Sequence, residues 1–258
     1  MEISSFMVVY SALFGLSLGS FMNVCIYRIP LKKSIVSPPS SCPNCGERIR
    51  FYDNIPLISY LLLLGKCRHC SNPLAWHYPL VEALTGLLSV ALFIRYGLSY
   101  QYFLFLLFTS VLVTVSFIDL HHKIIPDVLS LSGIVVGLAA SFMPGTISWL
   151  DSLIGIIAGG GSLFLVAFVY ERITGREGMG GGDIKLLAMI GAWLGWRQLY
   201  LVVLISSLVG AIVGIAFLLM AGKGFRVRIP FGPFLSLGAM ACLFFGPELM
   251  NWYSQLLQ

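Results

Sequence analysis

The strongest constraint on this chain is the recurrence of apolar runs of membrane-crossing length, about 17 to 25 residues each, along most of its 258 residues. In hydrocarbon every backbone N–H and C=O must be satisfied without water, so runs of this kind fold as helices. Eight segments are read as spans, at about 6–27, 78–95, 101–118, 128–142, 150–170, 184–196, 199–220 and 231–249, the fourth of them short. The charge content agrees: 10% of residues are charged, where soluble domains carry near a quarter. The expected fold is an all-α polytopic membrane protein with about eight transmembrane helices. The first run reads as a span rather than a cleavable signal, because Met1-Glu2 offers no basic start and no small-x-small pattern closes the run at Arg28.

A net charge of +5 invites a nucleic-acid partner, but the distribution of the cations argues for lipid instead. Arg28, Lys32, Lys33, Arg48, Arg50, Lys66 and Arg68 lie between the first two runs. Lys123, Arg172, Arg176, Lys185, Lys223, Arg226 and Arg228 fall at turns on the same side, leaving Arg95 and Arg197 opposite. By the positive-inside rule that crowded side is cytoplasmic, which puts both termini outside.

One stretch is polar, residues 28–78. It carries Cys42-Pro43-Asn44-Cys45 and Cys67-Arg68-His69-Cys70, with 21 residues between the pairs. Each pair can present two thiolates from one tight turn, and four close a tetrahedral zinc site. Disulfides or redox pairs are the competing readings, and a cytoplasmic loop disfavours stable disulfides. So small a module buries little core, so the metal would supply much of its folding energy. The domain plan expected is 1–27 as the first helix, 28–78 as a zinc module, and 79–258 as a seven-helix membrane domain. Within the module, Ile55 to Leu64 is apolar but too short to span, and Asp53 sits in a turn signal.

Acids at the edge of such runs are costly, about 2.5 to 3.5 kcal/mol at a helix centre, and are functional candidates for that reason. Asp183 follows Gly180-Gly181-Gly182 at the start of the sixth run, where glycine permits close backbone approach or positive φ. Asp119 ends the third run, where an acid opposes the helix dipole. Asp127, after Pro126, reads as a helix cap. Glu82 in the first turn of the second run reads equally as a dipole-favoured acid or a substrate contact, and Asn23 as polar glue or a site residue. His121 and His122 read as solvated loop side chains. Asp119 and Asp183 share the cytoplasmic boundary, 64 positions apart. If folding joins them they cannot both ionise, so one can act as base on a water while the other donates a proton. That is metal-free hydrolysis, and no H-E-x-x-H motif competes with it.

Several stretches together resemble the type IV prepilin peptidases: Gly19 to Pro30, both cysteine pairs, Asp53-Asn54-Ile55-Pro56, Gly65-Lys66-Cys67, Tyr78-Pro79-Leu80-Val81-Glu82, Asp119 to Asp127, Glu177 to Leu187 and Pro230 to Phe234. The resemblance covers almost the whole chain without departing from the family pattern. It implies an aspartic peptidase of the bacterial inner membrane that removes the basic leader of prepilins or pseudopilins at the cytoplasmic face after a glycine. The catalytic pair falls on Asp119 and Asp183, with Gly180, Gly182, Lys185, Glu82 and Asn23 as possible support. Glu82, Glu171 and Glu177 are candidates to attract the basic leader. N-methylation with S-adenosylmethionine is implied by resemblance alone, since no strand–glycine-loop–helix cofactor motif occurs. An ion-coupled transporter and a zinc-bearing scaffold are the alternatives from other classes. A zinc hydrolase is disfavoured because four cysteines leave no open coordination position.

Overall fold

The computed structural model describes residues 5–175, 178–221 and 230–256. Arg176, Glu177 and the basic positions 223, 226 and 228 therefore lie outside the described residues. The described chain forms nine α-helices: α1 (Ser5–Arg28), α2 (Ile58–Leu62), α3 (His77–Tyr96), α4 (Tyr100–His122), α5 (Asp127–Ala140), α6 (Trp149–Thr174), α7 (Gly181–Leu194), α8 (Trp196–Ala221) and α9 (Gly232–Leu256). All eight apolar runs are helical. Six of the helices are long and apolar enough to cross a membrane, whereas α5 and α7 have 14 residues each. At 1.5 Å per residue such a helix reaches about 21 Å, short of a hydrocarbon core of about 30 Å. The expectation of eight spans thus becomes six full-length candidates and two short helices.

Residues divide into two compact units, one up to Thr114 and one from Val115, with the boundary inside α4. In the first, α1 and α3 touch along small residues. A Cβ built at Gly15 would lie 2.5 Å from Ser89 Cβ, and one at Gly19 would lie 2.7 Å from Glu82 Cα, so the spacing of small residues in the first run serves close packing. Buried polar side chains also bond at this contact. Ser89 Oγ donates to Ser11 O at 2.7 Å and lies 2.7 Å from the Tyr102 hydroxyl, and Asn23 Nδ2 donates to Tyr78 O at 3.0 Å.

In the second unit α7 is the central element, with every residue from Leu186 to Leu194 buried. Gly155 of α6 and Gly191 of α7 meet backbone to backbone, and a Cβ at Gly159 would fall 2.5 Å from Leu187 O. Trp193 Nε1 donates to Gly133 O at 2.9 Å, and Ser152 Oγ to Ala192 O at 2.8 Å. These bonds tie α5 and α6 to α7. Helix α9 packs on α8, where Ser206 Oγ donates to Phe234 O at 2.9 Å. It kinks at Phe245, ahead of Pro247, whose missing N–H breaks the helical ladder.

Candidate active site and metal centre

In the second unit, α4 runs one turn past Asp119 to His122. The acid is therefore inside the helix rather than at its end, and it is 5% exposed. His121 and His122 accordingly belong to the last helical turn rather than to a loop, and His121 Nδ1 lies 2.7 Å from Phe117 O. Asp119 Oδ2 accepts the backbone N–H of Gly232, the first residue of α9, at 3.0 Å. A Cβ at Gly232 would stand 2.7 Å from the same oxygen and 3.3 Å from Ile125 Cδ1. The Ile125 side chain also closes on the segment carrying Asp183, since a Cβ at Gly182 would lie 2.8 Å from Ile125 Cβ. The two acid-bearing segments thus converge on one isoleucine. Asp183 is half-buried, and the charge on Asp119 acts on it directly.

Asp183 is the third residue of α7, in the turn where unpaired N–H groups favour an anion. Gly180 is the N-cap at φ −72°, and a Cβ there would lie 3.6 Å from Asp183 Oδ2. Neither it nor its two glycine neighbours adopts positive φ. Close approach at Gly182, not left-handed backbone, is what demands glycine here.

Asp127 does not cap α5. Pro126 occupies the N-cap position with no side-chain cap bond, and the Asp127 carboxylate pairs with Lys185 Nζ at 2.6 Å. Glu82 and Asn23 belong to the first unit. Because α3 begins at His77, Glu82 lies beyond its first turn rather than at the dipole end. It is 9% exposed, and its Oε2 accepts the Leu57 N–H at 2.9 Å. Glu171 is exposed.

Each cysteine pair forms a knuckle. Cys42 N donates to Glu47 O at 2.9 Å and Gly46 N to Cys42 O at 3.0 Å; Cys67 N donates to Asn72 O at 2.9 Å and Ser71 N to Cys67 O at 2.9 Å. Antiparallel bridges Ser41–Arg48 and Lys66–Pro73 close the two turns. All four sulfurs lie within 4.8 Å of one another, with Cys42 and Cys70 Sγ 3.9 Å apart. A tetrahedron with bonds of about 2.3 Å has edges of about 3.8 Å, so the four can hold one metal ion. The backbone N–H of Cys45 pulls the Cys42 thiol down to about 7, and the N–H groups of Cys70 and His69 lower Cys67. Against the pull of the Glu47 N–H, desolvation and the three neighbouring sulfurs push Cys45 up to about 11. Four thiolates this close repel one another, and a bound cation relieves that repulsion. Beside them, the Arg68 guanidinium grips Asp53 through bonds of 2.6 to 3.0 Å and lowers its pKa. Asp53 is thereby a structural partner of the second knuckle.

Gly232 was not singled out as a site residue by the sequence. Its signal is the Pro230-Phe231-Gly232-Pro233 turn at the start of α9, where glycine between two prolines marks a close backbone approach as readily as a bend.

Residues 13–96 match the Bacterial Peptidase A24 N-terminal domain and residues 106–215 the Type IV leader peptidase family. Relatives named prepilin leader peptidase/N-methyltransferase are similar over most of the chain. That of Aeromonas hydrophila is 40% identical, covering 93% of this chain and 91% of the relative. That of Pseudomonas aeruginosa is 40% identical over 96% and 93%, and that of Legionella pneumophila 36% identical over 96% and 94%. No solved structure matches the chain significantly. On identity of this extent, in both parts of the chain, the protein belongs to the type IV leader peptidase family.

Proposed function

We propose that this chain is a membrane aspartic endopeptidase that cleaves the basic leader from type IV prepilins or pseudopilins and then N-methylates the new N-terminus. The observation that carries the proteolytic reading is the fixed, buried carboxylate of Asp119 in electrostatic contact with Asp183. A pair of acids that share one proton contains both agents of peptide hydrolysis. The ionised member takes a proton from water as the oxygen attacks the scissile carbonyl. The protonated member donates to the carbonyl oxygen, and the proton passes on to the leaving amine as the C–N bond breaks. No covalent intermediate or catalytic metal is required. Gly182 and Gly232 serve by letting backbone close on the pair, and Lys185 by its bond to Asp127.

The tetrahedral donor set of Cys42, Cys45, Cys67 and Cys70 suits zinc, held as a closed structural site that organises residues 28–78. The helices of 79–258 then carry the peptidase chemistry. S-Adenosylmethionine supplies, when bound, an electrophilic methyl group on a sulfonium. The new N-terminal amine must be neutral to accept the methyl, and it sheds one proton in doing so. The clustered basic residues orient the catalytic side to the cytoplasm of the bacterial inner membrane, with both termini external. A substrate whose apolar helix lies in the same bilayer then presents its leader at that face.

The test is cleavage of a membrane-embedded prepilin by wild type, Asp119→Asn and Asp183→Asn, with mass analysis of the product N-terminus with and without S-adenosylmethionine. Both variants should fold and lose cleavage, and the wild-type product should gain one methyl. Cleavage surviving in either variant would overturn the dyad.

A further inference from the structure

The short helix α2 lies deeper in the first unit than its place in a polar stretch suggests. The N–H of Leu57, its N-cap, donates to Glu82 Oε2 at 2.9 Å. Glu82 stands five residues beyond His77, the first of α3, and packs against Gly19, nine before Arg28, the last of α1. At 1.5 Å per residue those positions are about 7.5 Å and about 13.5 Å inside the helix ends, more than the reach of one glutamate side chain recovers. Both helices are long and apolar enough to cross a membrane. The start of α2 therefore lies beside their spanning turns, not beyond them.

The helix has two faces. Ser59, Tyr60 and Leu63 line a cavity that α1 and α3 also border. Ile58, Leu61 and Leu62, at i, i+3 and i+4, form the opposite face and are exposed, as is Leu64 just after it. Leu61, Leu62 and Leu64 are 70 to 83% exposed, and an apolar patch of this kind marks a surface with a partner. Leu57 and Leu64, on either side of α2, are held at φ 59° and 51°, where a β-carbon is disfavoured and glycine is the ordinary choice. A leucine turned outward from such a backbone gains nothing in water and gains burial in hydrocarbon.

Two observations identify the partner as lipid. The face shares the depth of the spanning turns of α1 and α3, and interfacial segments insert about 5 to 10 Å into the headgroup and acyl boundary. The surrounding charge complements anionic headgroups: residues 28–78 carry seven Lys and Arg against Glu47 and Asp53, a balance that one zinc on four thiolates leaves positive. Lys66, exposed and four residues after α2, has the long stem that reaches phosphate from an apolar surface. Trp76, exposed at the N-cap of α3, is of the residue type that anchors helices at headgroup level.

We propose that α2, with Leu64 and Trp76, is an interfacial anchor that inserts into the leaflet at the Arg28 and His77 ends of α1 and α3 and recruits anionic phospholipid through the surrounding cations. The anchor ties the cysteine module to the membrane surface whatever reaction the second unit performs.

The experiment uses full-length, zinc-loaded protein, one copy per lipid nanodisc and without substrate, so that neither a second copy nor a prepilin covers the face. The discs contain equal traces of phosphatidylglycerol and phosphatidylcholine, each carrying a photoactivatable group on its acyl chain. After irradiation, mass analysis should find label on Leu61, Leu62 and Leu64 as well as on Leu87, an exposed leucine of α3 that serves as internal standard. The ratio of anionic to neutral lipid should be about fivefold higher at α2 than at Leu87, the preference that one cation near the surface confers. The double substitution Leu61→Glu, Leu62→Glu should abolish label on Leu64 and Trp76 while zinc content and Leu87 label stay as in wild type. If that variant loses zinc, the wild-type measurement decides alone. Absence of label at α2 beside a labelled Leu87, or equal lipid ratios at the two places, overturns the assignment. So does protection of the face that appears only when prepilin or a second copy is added.

Discussion

The backbone N–H of Gly232 donates to Oδ2 of Asp119 across 3.0 Å, and a Cβ at Gly232 would stand 2.7 Å from that oxygen. The first fact orients the carboxylate; the second means that a side chain added there must shift the acid or the backbone that holds it. Gly232→Ala must displace either the start of α9 or the acid. Misplacing a catalytic group by about 1 Å costs on the order of 100-fold in rate. Prepilin cleavage by Gly232→Ala should fall by about that factor with the melting temperature little changed. Activity within threefold of wild type would show that the contact does not position the acid.

Lys185 and Asp127 form a 2.6 Å ion pair whose side chains are 39% and 59% exposed. Pairs in that setting contribute about 0 to 1 kcal/mol. Lys185→Met should therefore lower stability by less than about 1 kcal/mol and leave cleavage within about tenfold. Asp127→Asn should do the same, in contrast to total loss at Asp119 and Asp183. Parallel cleavage and thermal unfolding assays on the four variants separate positioning from catalysis.

The helices were legible in the sequence because burial in lipid leaves hydropathy as an almost unambiguous signal, and all eight runs are helical. Their spanning role was less legible. Apolar residues fill the buried α7 as they fill a lipid-facing helix, so composition does not separate the two. The approach of the segments that carry Asp119 and Asp183 runs through Ile125, which meets Gly182 57 positions on and Gly232 107 positions on, and local patterns do not encode it. Asp127 was misread because Asp beside Pro is a common cap signal, while its actual partner, Lys185, is 58 residues away. Glycines told only that something comes close: Gly232 faces a carboxylate, Gly191 faces Gly155, and Gly181 faces nothing within 4 Å.

The two cysteine knuckles place equivalent turn residues in the left-handed region, Gly46 at φ 73° and Ser71 at φ 57°. Left-handed backbone costs a residue with a β-carbon about 1 to 2 kcal/mol, and no atom near Gly46 would meet an added Cβ. Gly46→Ala should thus weaken the module through the backbone alone, by about 1 kcal/mol. Ser71→Gly should be neutral or stabilising, since relief of strain is offset by the greater freedom of glycine in the unfolded chain. Zinc competition with a chelator measures both. Gly46→Ala should lose zinc more readily than wild type while Ser71→Gly retains it at least as well, and equal losses would refute the equivalence of the turns.

Metal binding at the four cysteines should also be linked to protons. In the metal-free site Cys45 is pushed up to about 11 and Cys42 pulled down to about 7, whereas every ligand must be a thiolate in the complex. At pH 7 Cys45 is protonated and Cys42 about half so, and both must lose their protons to zinc. Affinity therefore rises with pH through the neutral range, and acid favours release. Calorimetric titration of zinc into chelated, reduced protein, repeated in buffers of different ionisation enthalpy, gives the proton count directly. More than one proton should be released at pH 7, and fewer from Cys45→Ser. A heat independent of buffer would mean that the thiols were already ionised before the metal arrived.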